Sequence, residues 1–206
     1  MSEPSSLRER KKADTRRALS DAALRLTCER GLDNVTRDDI AALAGVSLRT
    51  FNNYFTGKYE ALGYRQAERL RRSIAELRSR PAAEPLWTSI TEAVMAPVEA
   101  DFAAEEASIP SRDELLEVRK LLMRTEIRDV VTRELFDEWV RAIAERTGTD
   151  PDRDMYPRLV AAVVRAVGDA AAETYAAADP PVAFPPLLRT AFASVAAGLP
   201  VPGGAS

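Results

Sequence analysis

Between Gly45 and Phe55 the chain reads GVSLRTFNNYF, a stretch dense in hydrogen-bonding side chains. Wound as a helix, it sets Phe51 and Phe55 four residues apart on one face and turns Arg49, Asn52 and Asn53 to the other. An arginine fork matches the O6 and N7 edge of guanine, and a primary amide matches N6 and N7 of adenine. Each good bidentate contact of this kind is worth about 1–3 kcal/mol of discrimination between bases. Thr50, on the flank, suits a thymine methyl or a phosphate, and Tyr54, at the edge of the packed face, carries its hydroxyl toward a phosphate. Asparagine is a poor helix former, so two in succession in so short a helix need a reason, and a reading face supplies one.

Phosphate contacts would set the register of such a helix without reading sequence. Thr36 and Arg37 open the helix before it and Lys58 opens the helix after it. Each adds a side-chain donor to the unpaired amides and positive dipole of a helix start. Ser47 is placed to cap the short helix itself. Arg8, Arg10, Lys11, Lys12, Arg16 and Arg17 precede or open the first helix and could follow a polyanion backbone or enter a minor groove. Arg16, Arg17 and the arginines of the fourth helix serve equally well as a solvated face.

The inventory excludes much else. The 206 residues contain no histidine and one cysteine, Cys28. Histidine-dependent general bases, Ser-His-Asp triads, His-ligated metals, multi-cysteine zinc sites and an internal disulfide framework are therefore absent, and no cofactor is implied. No apolar run reaches the roughly 18 residues that span a bilayer. The polar N-terminus, MSEPSSLRERKK, lacks the apolar core of a secretory signal, so a cytoplasmic location with no membrane partner is expected. The net charge of −3 conceals a division: residues 1–80 hold 17 basic against 11 acidic side chains, a net of +6, and residues 81–206 hold 12 against 21, a net of −9. A basic half is drawn to a polyanion, and an acidic half is better suited to a small molecule or another protein.

The elements that must position these residues are helical, with no sustained alternation of the strand kind. The expected class is all-α with about nine helices. Leu19, Ala22, Ala23 and Leu26 mark the inner face of a first helix over about 8–30, closed at Gly31. A second, of about nine residues, starts at Thr36 with Asp39 completing a capping box and Ile40 and Leu43 facing inward. Gly45 ends it and Ser47 starts the third, which runs to Phe55, so the pair forms a helix-turn-helix. Phe51 and Phe55 should pack on Ala22, Leu26, Ile40 and Leu43. A fourth helix, over about 59–78 and capped by Thr56, stops at RPAAEP, where the domain boundary is placed: 1–80 and 81–206. Further helices are expected over about 85–104, 112–124 (with a capping box from Ser111 and Glu114), 126–147, 155–178 and 185–198.

The stretch TRDDIAALAGVSLRTFNNYFTGKYEAL resembles the DNA-binding core of the TetR family of bacterial transcriptional regulators. The shared features are the capping threonine, the IAxxAGVS turn, the aromatic closing the third helix, and a lysine three residues later followed by xxAL. The resemblance implies a three-helix DNA-binding domain, a linking fourth helix, and a C-terminal domain that dimerises and binds a small ligand. The chain departs from the family pattern at Asn52, where an aromatic residue is common. No tyrosine-to-phosphate contact carries over to that position.

In the C-terminal half, LVAAVVRAVGDAAAETYAAA is rich in small residues that permit close helix approach, and PLLRTAFASVAAGL offers Leu187, Leu188, Ala191, Phe192 and Val195. The resemblance implies a homodimer through these last two helices, forming a four-helix bundle across the two-fold axis. Residues in the middle are bulkier: Trp87, Ile90, Val94, Met95, Val98 and Phe102, then Leu121, Leu122 and Met123, then Phe136 and Trp139. They would line a site for an apolar ligand with an acidic end, with Arg119, Arg124 and Arg128 as anchors, although taken singly each residue of the stripe fits ordinary core better. RTFNNYF and LLMRTEIRDVVTRELFDEWVRAIAERTG look similar to an actinobacterial branch whose C-terminal domain is described as binding acyl-CoA-like ligands. The resulting expectation is a homodimeric, sequence-specific repressor that binds a palindromic operator in double-stranded DNA and is released by a small apolar effector such as a fatty acyl-CoA. Its rivals are a ligand-binding or scaffolding dimer without an operator, and a small helical enzyme. Against the enzyme stand the missing histidine, convergent acid pair and phosphate-cradling glycine loop.

Overall fold

The computed structural model describes residues 4–104 and 125–201, with side chains described over 7–103 and 135–201. The helix expected over 112–124, its capping box, and Arg119, Leu121, Leu122, Met123 and Arg124 lie outside the described residues, as does the side chain of Arg128. Among the described residues there are eight α-helices, one 3-10 turn and no strand, the all-α class read from the sequence. They form two compact units, which divide inside the fourth helix between Glu68 and Arg69 and inside the sixth between Thr132 and Arg133.

In the first unit α1, Pro4–Arg30, runs further toward the N-terminus than the apolar spacing indicates, so the basic side chains from Arg8 to Arg17 all lie within it. Gly31, at φ 78°, closes it, and the turn Leu32–Asn34 leads to α2, Arg37–Leu43. The capping box at Thr36 forms as expected: its hydroxyl accepts from the Asp39 amide, and the Asp39 carboxylate accepts from the Thr36 amide. Gly45, at φ 69°, turns the chain into α3, Leu48–Tyr54, where the Ser47 hydroxyl accepts from the Thr50 amide. The core joins Leu19, Ala22, Ala23 and Leu26 of α1 to Val35, Ile40, Ala41, Phe51, Phe55 and Ala61.

One expected core residue faces elsewhere. Leu43 is 43% exposed, and Ala41, with Ala44 partly buried beside it, does the packing expected of it. In a seven-residue helix the buried arc is centred on Ile40, Ala41 and Ala44. The Val46 amide, by donating to the Ala41 carbonyl at 2.9 Å, folds the turn onto that side and leaves Leu43 on the rim.

The fourth helix, α4, spans Lys58–Ser79, and the second unit begins in its latter half. It continues with α5, Leu86–Ala104, α6, Thr125–Thr147, α7, Met155–Ala177, and α8, Phe184–Ala196. Ion pairs show the directions in which they run. Arg69 and Arg72 of α4 both hold Asp101, in the last turns of α5, at 2.9 and 2.7 Å, which makes the two helices an antiparallel pair. Arg78 of α4 meets Glu145 of α6 at 2.9 Å. Arg189 of α8 reaches Glu92 and Glu99 of α5 at 2.8 and 2.7 Å. The junction between α4 and α5 is held by Arg146, whose guanidinium donates to the carbonyls of Arg80, Pro81 and Glu84 and to the buried Ser89 hydroxyl. Those carbonyls end α4 and its turn, where of the three Pro81 also accepts from a backbone amide, that of Glu84, so a planar cation with five donors suits the site.

Candidate nucleic-acid interface

The third helix divides its side chains sharply. Phe51 and Phe55 are 0% and 3% exposed, with ring centroids 5.9 Å apart, and Phe55 meets Tyr64 edge-on at 5.7 Å. With that face committed to the core, Arg49, Asn52 and Asn53 are exposed and Thr50 and Tyr54 half-buried. The Arg16 guanidinium lies 5.8 Å from the Tyr54 ring centre, a cation–π contact that ties α1 to the flank of α3. Neither Arg16 nor Tyr54 is therefore simply a solvated residue.

Around α3 the donors expected to meet phosphate have intramolecular partners as well. Arg37, exposed at the start of α2, donates from Nη1 to the Asn52 Oδ1 at 3.4 Å, joining the first helix of the motif to the reading face of the second. The Thr36 hydroxyl is engaged with Asp39, and the Ser47 hydroxyl shares a hydrogen bond of 2.9 Å with Thr50 Oγ1. Asp39 is held below the usual carboxylate range by the Thr36 hydroxyl, then by the Thr36 amide, with Arg30 helping from 3.7 Å. It therefore keeps its charge at the positive end of α2. Lys58 departs most from the sequence reading. Its ammonium donates to the carbonyls of Leu32 and Val35 at 2.8 and 3.0 Å, pinning the start of α4 to the turn before α2. Two of its three protons are thus used inside the fold, and the ammonium also lies 5.8 Å from the Tyr59 ring centre. A basic residue opening a helix gave no sign of this, because the carbonyls it meets are 26 and 23 residues away.

Residues 19–62 match the family model described as "Bacterial regulatory proteins, tetR family", and residues 84–200, more than half of the chain, match the model described as "MftR C-terminal domain". The HTH-type transcriptional regulator TcmR of Streptomyces glaucescens is 31% identical over 166 residues, 79% of this chain and 73% of that protein. The chain belongs to the TetR family. It is a helix-turn-helix transcriptional regulator. Solved structures share the fold: FadR of Bacillus halodurans (TM-score 0.59, 19% identity, 90% of this chain and 96% of that one) and a TetR-family regulator of Syntrophomonas wolfei (0.61, 16%, 93% and 99%). FadR of Thermus thermophilus, solved in complex with lauroyl-CoA, gives 0.54 at 22% identity over 93% and 98%.

In this TetR-family chain the described candidate ligand residues belong to the second unit. Val94 and Met95 are 9% and 0% exposed on α5, Trp139 is 5% exposed on α6, and Trp87, Phe102 and Phe136 are half-buried. Phe102 stacks on Phe184 at 5.8 Å, Tyr175 meets Phe184 edge-on at 5.4 Å, and the Arg69 guanidinium lies 5.9 Å from the Phe102 ring. One aromatic group thus joins α4, α5, α7 and α8. Below it, burial pushes the Asp101 carboxyl up while hydrogen bonds from Arg72 and Arg69 prevail and hold it down. Phe136 carries two cations, Arg158 and Arg165 of α7, at 5.7 and 5.4 Å. The sequence reading missed this pair because it took that helix as a stripe of small residues. Their seven-residue spacing, which puts both on one face, was the available signal. Of the last-helix residues, Leu188 and Phe192 are buried in the chain's own core and Leu187, Ala191 and Val195 are half-buried. Among the described residues no helix is long and apolar enough to cross a membrane.

Proposed function

We propose that the chain is a homodimeric, cytoplasmic repressor in which residues 1–80 read a palindromic operator and residues 81–206 dimerise and bind a small apolar effector, acting by binding and not by catalysis. The observation that carries this reading is the exposure of Arg49, Asn52 and Asn53 on a helix whose other face is anchored by Phe51 and Phe55. Arg49 and Asn53 read base edges, Asn52 and Thr50 assist them, and Thr36, Arg37, Ser47, Tyr54 and the remaining proton of Lys58 meet phosphates.

Support for the dimer comes from α7 and α8. Met155, Tyr156 and Leu159 are 76%, 48% and 52% exposed, and Ala166, Ala170, Ala177, Ala193 and Ala196 are exposed small residues that allow a second copy close approach. The effector is a fatty acyl-CoA or a molecule of like chemistry, bound near Trp87, Val94, Met95, Phe102, Phe136 and Trp139. This draws on the resemblance to the actinobacterial branch and on the lauroyl-CoA bound by the Thermus thermophilus FadR. Arg158 and Arg165 suit its anionic head group. Release from DNA follows if the effector prefers the conformation that spaces the reading heads wrongly, a coupling of typically about 1–3 kcal/mol.

A mobility-shift assay with DNA from upstream of the protein's own gene tests the reading. We expect a complex that depends on the palindrome and weakens steeply with salt, and Asn53→Ala should weaken operator binding roughly 5- to 150-fold while leaving nonspecific binding nearly unchanged. Equal losses on operator and random DNA would exclude Asn53 from base reading.

A further inference from the structure

The indole of Trp139 is 5% exposed, and its Nε1–H has no hydrogen-bond partner among the described residues; it is the buried side-chain donor so left. Indole nitrogen is a donor only, and native structures rarely leave a buried donor unpaired. On α6 the buried residues three and four places from Trp139, Leu135, Ala142 and Ile143, share its face and offer no side-chain acceptor. A water needs two to four polar partners to stay in such a place, and the indole supplies only one.

We infer that Trp139 Nε1–H is the polar anchor of the effector site, donating to a carbonyl oxygen set within an otherwise apolar ligand. The chemistry of the surroundings selects an acceptor that brings no donor of its own. An alcohol or a secondary amide would introduce a proton with nothing to receive it, whereas a thioester, ester or ketone oxygen accepts and asks for nothing further. A fatty acyl thioester combines such an oxygen with a long apolar chain. The assignment rests on the proposed effector class and adds which atom of that class the protein recognises.

The test compares lauroyl-CoA with S-dodecyl-CoA, a thioether of the same chain length that lacks the carbonyl, by isothermal titration of the full-length protein and of Trp139→Phe. The wild type should prefer the thioester by roughly 5- to 30-fold, and Trp139→Phe should lose that preference while still binding the thioether. If the wild type binds both probes equally, the effector class stands and the Trp139 assignment is overturned. If it binds neither, the effector class fails and the assignment fails with it. Should Trp139→Phe not fold, the indole N–H resonance of the wild type, distinguished from that of Trp87 by Trp87→Phe, decides. A downfield shift with lauroyl-CoA and not with S-dodecyl-CoA supports the bond, and no difference between the two overturns it.

Discussion

Lys58→Met separates two tasks that one side chain performs in the proposed reading. The substitution keeps the apolar stem and removes the ammonium, and with it the bonds to the Leu32 and Val35 carbonyls at 2.8 and 3.0 Å. Hydrogen bonds to a charged donor contribute roughly 1.5–3 kcal/mol each. Because the site is only partly buried, water recovers part of the loss, so a net cost of about 2–3 kcal/mol is expected for the two. That cost should fall on the turn. The Asn34 amide bonds the Gly31 carbonyl and the Val35 amide the Leu32 carbonyl, and both are released when the turn opens. Native-state hydrogen exchange of these two amides should therefore quicken by roughly 30- to 150-fold, with amides of α7 and α8 unchanged. If the lysine's third proton also meets a phosphate, the salt slope of operator binding falls by about 1. Exchange rates within threefold of the wild type would refute the clamp, and an unchanged slope would leave Lys58 a purely internal staple.

Three further outcomes are expected. Arg146→Met should take the guanidinium donor from the Arg80 and Glu84 carbonyls and the Ser89 hydroxyl, the Pro81 carbonyl keeping the Glu84 amide, and cost about 2–4 kcal/mol in urea unfolding followed in the second unit, whereas a loss below about 0.5 kcal/mol would show that water replaces the guanidinium. Glu84, accepting from Arg80 and then from Ser89, has its carboxyl lowered to about 2. Its ionised form is therefore favoured by folding, and its contribution is present above pH 4.5 and lost as pH falls toward 2. A carboxyl carbon titration by NMR should show a midpoint near 2 that rises toward 4.5 in Arg80→Met, and an ordinary midpoint in the wild type would count against the pair. Phe51→Ala should cost about 3–5 kcal/mol and abolish operator binding through loss of the first unit's core, visible as lost near-ultraviolet ellipticity.

What the sequence made legible is what repeats or punctuates. The four-residue spacing of Phe51 and Phe55, the glycines at 31 and 45 and the capping box at Thr36 act over one or two turns, and each appears in the fold where local physics puts it. Leu43 shows the limit of that logic: in so short a helix the following turn decides which arc is buried. Lys58 and Arg146 were unreadable for another reason. Each makes its contacts with residues far along the chain, and a lone charged side chain carries no period to announce them. The unpaired indole of Trp139 is further from sequence still, because being unpartnered is a property of the surroundings alone.

The same distinction separates the two adjacent asparagines. Both are exposed on α3, yet only Asn52 receives a proton from Arg37, at its Oδ1. An adenine-reading amide needs its oxygen to accept from N6 and its nitrogen to donate to N7. With the oxygen turned toward Arg37, Asn52 presents its NH2 group outward, which suits a phosphate, guanine O6 or thymine O4. Asn53 keeps both halves of its amide for a base. In the proposed reading Arg37 and Asn52 therefore act together, the cation orienting the amide while neutralising the backbone beside it. Arg37→Ala frees the Asn52 oxygen, so it should both weaken binding and relax the base preference opposite Asn52. Arg37→Lys, which keeps the charge but lacks the fork, should relax the preference with a smaller loss of affinity.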